Sequence, residues 1–418
     1  MKSNSEIKLQ FGEKKLISNE IILIISFLIY IVNFYEIGLY LLFSMIPFII
    51  FYSLGKQKNK IYFITLSILF LFGVVFASIV YYYDFVSIGT VISYIVFPTL
   101  IYTLGFNFTY KDYSYRRAYN IVILLVATLN LFIIFSYVRT ILEFGDIQNV
   151  SQILGDRGFA NIWSGKLIQA TEITLYLSFS LALLPTILLN DSLLSKKRTL
   201  TYKSISLISF INSIFITIQL GSRTALIIVF LSFISVYLFS RKLSIKKIQT
   251  PFISLLFLFL FYMLFKLNVF NVKAWWEGTK AYARFQSNGL ESGRYDAWLA
   301  IIKEMFREPL GGREINISIS YVHNLWLDVV YDAGILPFFL LIIFTLISFI
   351  SIIKFILLKH PVYLKGIIIA ICTSFFICFL TEPILQGGEK YYFVIYCFIL
   401  GIIQGLNRNY SFQINNKT

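Results

Sequence analysis

Apolar residues fall in long, nearly unbroken blocks, separated for most of the chain by short polar stretches that carry lysine and arginine. Crossing roughly 30 Å of hydrocarbon takes about 20 helical residues. Blocks of about that length lie near 19–35, 37–55, 61–82, 86–105, 118–137, 169–190, 204–220, 224–240, 251–268, 335–357, 366–385 and 391–407. The pattern predicts an all-α, polytopic integral membrane protein with about twelve transmembrane helices. Two polar segments exceed turn length, about 138–168 and 269–334. The second holds two short helical patterns. In the first, Ser292 is placed as N-cap and Tyr295, Trp298, Ile301, Ile302 and Met305 recur at helical spacing, ending near Arg307, with Asp296, Lys303 and Arg307 on the other face. Arg294 falls within the apolar face. The second starts near His323 and stops at Gly334, a residue suited to a left-handed stop. On its wheel His323 lies with Trp326, Leu327 and Val330, while Asp328 and Asp332 point elsewhere. An arginine and a histidine therefore face inward.

Composition narrows the class. With 58% hydrophobic, 18% aromatic and 14% charged residues among 418, a soluble domain is excluded, and 1–418 reads as a single integral membrane domain. The net charge of +15 raises the question of nucleic acid, and its distribution answers it. Starting from a cytoplasmic N-terminus, 23 of the 36 lysines and arginines fall on the cytoplasmic side, as the positive-inside rule requires, and both termini are cytoplasmic. The charge faces anionic lipid, so membrane lipid is the expected partner and nucleic acid is not. Cys372, Cys378 and Cys397 all lie in apolar runs, leaving no loop pair for a disulfide or zinc, and no cleavable signal precedes the first span. Cytoplasmic loops are short and carry no Walker pattern, GxGxxG or Asp-x-Asp, so no nucleotide cofactor is expected. Chemistry is expected at the outer face, in the long loops.

Few residues can carry it. Arg223, in Gly221-Ser222-Arg223-Thr224, opens a span whose N-terminus faces out, where free N–H groups, the helix dipole and a guanidinium make an anion site; the competing reading is snorkelling to headgroups. Arg294 competes with a stem packed on Trp298. His360, in Lys359-His360-Pro361 on the cytoplasmic side, reads as structural. His323 is the only other histidine, which rules out a multi-histidine metal site and leaves either a satisfied core residue or a general base. Of the outer acids Glu143, Asp146, Asp156, Glu277, Glu291 and Glu382, the last, in Leu380-Thr381-Glu382-Pro383, is the one expected to point into a cavity.

Three pieces, in order, resemble the O-antigen polymerase and O-antigen ligase superfamily of bacterial membrane glycosyltransferases. They are Gly221-Ser222-Arg223-Thr224-Ala225-Leu226 opening a span; Gly293-Arg294-Tyr295-Asp296-Ala297-Trp298 leading to Glu308-Pro309-Leu310-Gly311-Gly312; and His323-Asn324, nine residues, then Gly334. They occupy roughly the last half of the chain. Glu308 stands where the family often has His, and Pro337 departs from the ligase pattern. The resemblance implies glycan transfer from undecaprenyl diphosphate to a sugar hydroxyl at the outer face of the cytoplasmic membrane, without metal or cofactor. It assigns His323 as the base activating the acceptor and Arg223 and Arg294 to the diphosphate; Asn324 and Glu382 are expected as further substrate-binding residues. A flippase and a chain-length regulator of the same pathway are the implied protein partners. The expected activity is polymerisation of lipid-linked repeat units into O-antigen or capsule. A ligase passing the finished glycan to a lipid or wall acceptor is the alternative among enzymes, and a lipid-linked oligosaccharide flippase the alternative outside them.

Overall fold

In hydrocarbon a backbone amide has no water to bond, so an apolar run closes its N–H groups on its own carbonyls and becomes a helix. The computed structural model describes residues 18–53, 59–109, 114–145, 157–189, 195–240, 293–319, 321–385 and 390–415. Its helices are α1 (Ser18–Ile31), α2 (Gly38–Ser53), α3 (Lys60–Tyr82), α4 (Ile88–Phe108), α5 (Ser114–Phe144), α6 (Ala170–Ala182, extended by a 3-10 turn), α7 (Lys196–Gln219), α8 (Thr224–Ser240), α9 (Arg294–Glu304), α10 (Leu325–Ala333), α11 (Ile335–Leu357), α12 (Val362–Thr381) and α13 (Lys390–Asn415). Each expected span except 251–268 coincides with one of them; that span lies outside the described residues. Among the described residues, eight helical segments are long and apolar enough to cross a membrane, and α1, α2 and α8 are apolar but shorter. The fold is all-α and has the character of a polytopic membrane protein.

At the centre α13 is sheathed by its neighbours and packs most closely on α4. Small residues allow this: a Cβ on Gly401 would lie 2.2 Å from the Tyr102 carbonyl oxygen, and one on Gly105 the same distance from that of Phe398, so the two backbones touch. Polar groups at this depth bond one another. The Gln404 amide donates to Thr65 and Ser351, both at 3.0 Å, and accepts from Tyr102.

The helix α5 runs seven residues past its expected end at 137, where Arg139 and Glu143 pair at 2.7 Å, one turn apart. Arg139 also donates to the Asn161 and Ile162 carbonyls at 2.9 Å. That tethers a two-stranded antiparallel hairpin, Gly158–Ala160 with Leu167–Gln169. Strands of three residues are too short to show alternation, so the sequence pattern does not announce them.

The two loop helices differ from their wheels in instructive ways. Gly293, with φ 68°, is the N-cap of α9, and Ser292 lies outside the described residues. Ala297, Ile301 and Met305 are buried as a narrow stripe, while Tyr295 and Ile302, expected inward, are 70% and 53% exposed. In α10, Asp328 and Asp332 do not point to water: both are buried. The reason is that α10 is covered on two sides. Asp328 accepts from the Val322 N–H at 3.0 Å, and Asp332 is held by Arg313 at 2.8 Å. Burial pushes the Asp328 carboxyl well above the usual range, reinforced by the charge of Asp332. Burial pushes Asp332 up too, with Arg313 opposing it.

Candidate functional site

The Pro309-Leu310-Gly311-Gly312 turn is the foundation of the site. Gly311, Gly312 and Arg313 all have positive φ, at 74°, 71° and 61°, a run that glycine tolerates best. The turn lies against Gly334, the joint between α10 and α11. A Cβ on Gly311 would fall 2.5 Å from the Gly334 nitrogen, and one on Gly334 would fall 2.1 Å from the Pro309 oxygen. Backbone bonds close the clasp: Ile335 N–H to Pro309 O at 3.0 Å, Gly312 N–H to Asp332 O at 3.2 Å and Arg313 N–H to Tyr331 O at 2.9 Å. These motif glycines therefore act through shape.

The clasp holds the C-terminal end of α10, and a cap holds its start. Asn324, buried, caps that helix by accepting from the Leu327 N–H at 3.2 Å, as Asn does at N-caps. His323 comes just before the cap, with φ 56°, a left-handed conformation in which His is enriched among non-glycine residues. It is not a helical residue, so a helical wheel does not describe it. The Trp298 indole donates to the Val322 carbonyl at 2.8 Å, fixing α9 beside the same segment.

Three of the expected site residues meet here. Arg294 donates to the Thr381 carbonyl at 2.8 Å, and its second terminal nitrogen lies 3.4 Å from His323 Nδ1. Glu382 Oε2 lies 3.8 Å from the same Nδ1. The other Glu382 oxygen accepts from the Thr224 hydroxyl at 2.7 Å. Arg223 stands half-buried immediately before Thr224 at the start of α8, so the fifth residue is one position from the cluster. Asn324 adjoins His323, with its side-chain oxygen engaged in the cap. Glu143 pairs with Arg139 instead, and Asp146, Asp156, Glu277 and Glu291 lie outside the described residues. Sequence reading passes over Thr224 and Thr381 as contributors, although both lie in quoted motifs; their partners are distant in the chain, so no spacing marks them.

The imidazole has two competing neighbours on one nitrogen. A guanidinium only donates, so in the contact with Arg294 the Nδ1 atom presents its lone pair and a neutral ring carries its proton on Nε2. Paired with Glu382, Nδ1 carries the proton and Nε2 is the free base, the arrangement by which a carboxylate orients a catalytic histidine. Among the described residues, no group of three or more His, Cys, Asp or Glu is placed to hold a metal ion.

The chain matches no known family model and no curated protein sequence.

Proposed function

We propose that the protein is a membrane glycosyltransferase that polymerises undecaprenyl-diphosphate-linked oligosaccharide repeats into a bacterial surface polysaccharide, O-antigen or capsule, at the outer face of the cytoplasmic membrane. The observation that carries this reading is the convergence of His323, Arg294 and Glu382 on one nitrogen, beside the span opened by Arg223. The motif resemblance and the bias of lysine and arginine along the chain support it.

In the reaction an acceptor hydroxyl attacks the anomeric carbon of the donor sugar. The bond from that carbon to the diphosphate oxygen breaks, and undecaprenyl diphosphate leaves with the electron pair. The hydroxyl proton passes to His323 Nε2. Charge growing on the diphosphate needs fixed donors, and Arg294 and Arg223 supply planar, bidentate ones. When Arg294 turns to the diphosphate it releases Nδ1 to Glu382, so donor binding generates the base. Thr224 holds the other Glu382 oxygen and keeps the carboxylate in place.

The test compares a deletion strain with its parent. Single repeat units on the surface are the expected result. Finished polymer stranded on carrier lipid would make the protein a ligase, and intermediates trapped on the inner face would make it a flippase.

A further inference from the structure

A cavity of about 260 Å³ has walls that include Phe85, Tyr94, Arg313, Tyr321, Asp332 and Leu385. At ~30 Å³ per water it has room for roughly nine waters, the scale of one sugar ring and too little for a whole repeat unit. Its link to the cluster runs through Tyr321, which lines the cavity and meets the His323 ring. The Tyr321 ring stands edge-on to the His323 ring with centroids 6.5 Å apart, and Leu385 is three residues beyond Glu382 on the same segment.

The charges in its wall are balanced. Arg313 is bound to Asp332 at 2.8 Å and lies over the Phe85 ring at 4.4 Å, so its guanidinium is already neutralised. A phosphate entering here would meet the Asp332 carboxylate. A carboxylate beside a guanidinium suits a neutral polyol, since neighbouring hydroxyls can donate to one and accept from the other. Tyr321, 40% exposed, offers an aromatic face for the C–H side of a sugar ring.

Building on the function proposed above, we propose that this cavity is the acceptor subsite. It holds the terminal sugar ring whose hydroxyl His323 deprotonates, with its hydroxyls on Asp332 and Arg313 and its apolar face on Tyr321. The site is thereby divided: diphosphate on the Arg294 side, uncharged sugar on the Arg313 side. Tyr321, Arg313 and Asp332 then set which sugar is accepted.

The experiment uses the full-length protein in nanodiscs and two probes, undecaprenyl diphosphate and the water-soluble oligosaccharide repeat released from the parent strain's polymer. Binding is read by saturation-transfer NMR and tryptophan fluorescence. Tyr321→Ala, which removes the aromatic face, and Asp332→Asn, which weakens one polar contact, are each expected to weaken the oligosaccharide about tenfold and to leave the lipid diphosphate within about twofold. Arg294→Lys is expected to do the reverse. Tyr321→Ala is the safer variant for folding, because its side chain is partly in solvent. Unchanged oligosaccharide binding in both Tyr321→Ala and Asp332→Asn, or equal loss of both probes, would overturn the subsite. A parent protein that binds the lipid diphosphate but no oligosaccharide overturns the subsite alone, and one that binds neither overturns the functional reading with it.

Discussion

The chain's two histidines sit in regions built on opposite principles. His360, between α11 and α12, is buried and stacked on Phe355 at 4.3 Å, with its Nδ1 3.1 Å from the Tyr115 hydroxyl. Burial pushes its imidazole down to about 3, and the nearby Lys365 charge adds to that. Such a ring stays neutral and serves as a polar wedge in an aromatic seat. His323 is half-buried, outside any helix, with an arginine and a carboxylate contending for one nitrogen. The lesson is that burial in aromatics removes a histidine from proton chemistry, whereas a left-handed position before a helix cap leaves its ring open and directed.

The sharpest way to break this contrast is to remove each ring. His323→Ala should lower turnover by about 10² to 10⁴-fold, the usual range for general-base assistance, with thermal stability unchanged. His323→Gln should fare little better, since it cannot take a proton at neutral pH. The matching His360→Ala should keep turnover per folded molecule and lower the melting temperature. Substantial polymer from His323→Gln would erase the distinction.

Next in size is Arg294→Lys, which keeps the charge and loses the fork; a drop of about 10²-fold is expected, comparable to losing a fixed donor to a developing anion. Radiolabelled repeat-unit incorporation at equal expression measures it, and near-parental incorporation would return Arg294 to a packing role.

Glu382→Gln should cost about tenfold, one charge-assisted hydrogen bond, while keeping an oxygen for Thr224. Its distinguishing signature is the histidine tautomer. In ¹⁵N NMR the parent should shift its ring proton from Nε2 to Nδ1 on adding undecaprenyl diphosphate, and Glu382→Gln should not. A parent spectrum indifferent to the diphosphate would rule out the arginine-gated base.

The smallest effect belongs to His360→Gln and concerns stability alone. Below pH 6.5 the unfolded histidine takes a proton that the folded ring declines until about pH 3, so the folded state loses stability as pH falls across that window. The variant should flatten this acid limb. Parallel denaturation curves for parent and variant between pH 7 and 4 would show that His360 is not held neutral.

Much of this was legible in the chain because hydrophobic blocks are local signals. Spans, the Gly334 stop and the oddity of Arg294 and His323 come from residues within a turn or two of each other. What was hidden depends on distant partners. The burial of Asp328 follows from the segment at Val322 folding onto α10 and that of Asp332 from the 309–313 turn, and a wheel assumes one wet face. The meeting of Glu382 with His323 and Thr224 joins three separate segments. Even the inward reading of His323 uses a helix it does not belong to; its ring meets Arg294, Glu382 and Tyr321, each from another position in the chain.

The Gly311 and Gly334 clasp also bears on how related sequences can diverge. With main chain on both sides of the contact, no side chain can swing away to admit a Cβ, so neither glycine can be replaced while the other's segment stays put. Homologues should therefore keep both.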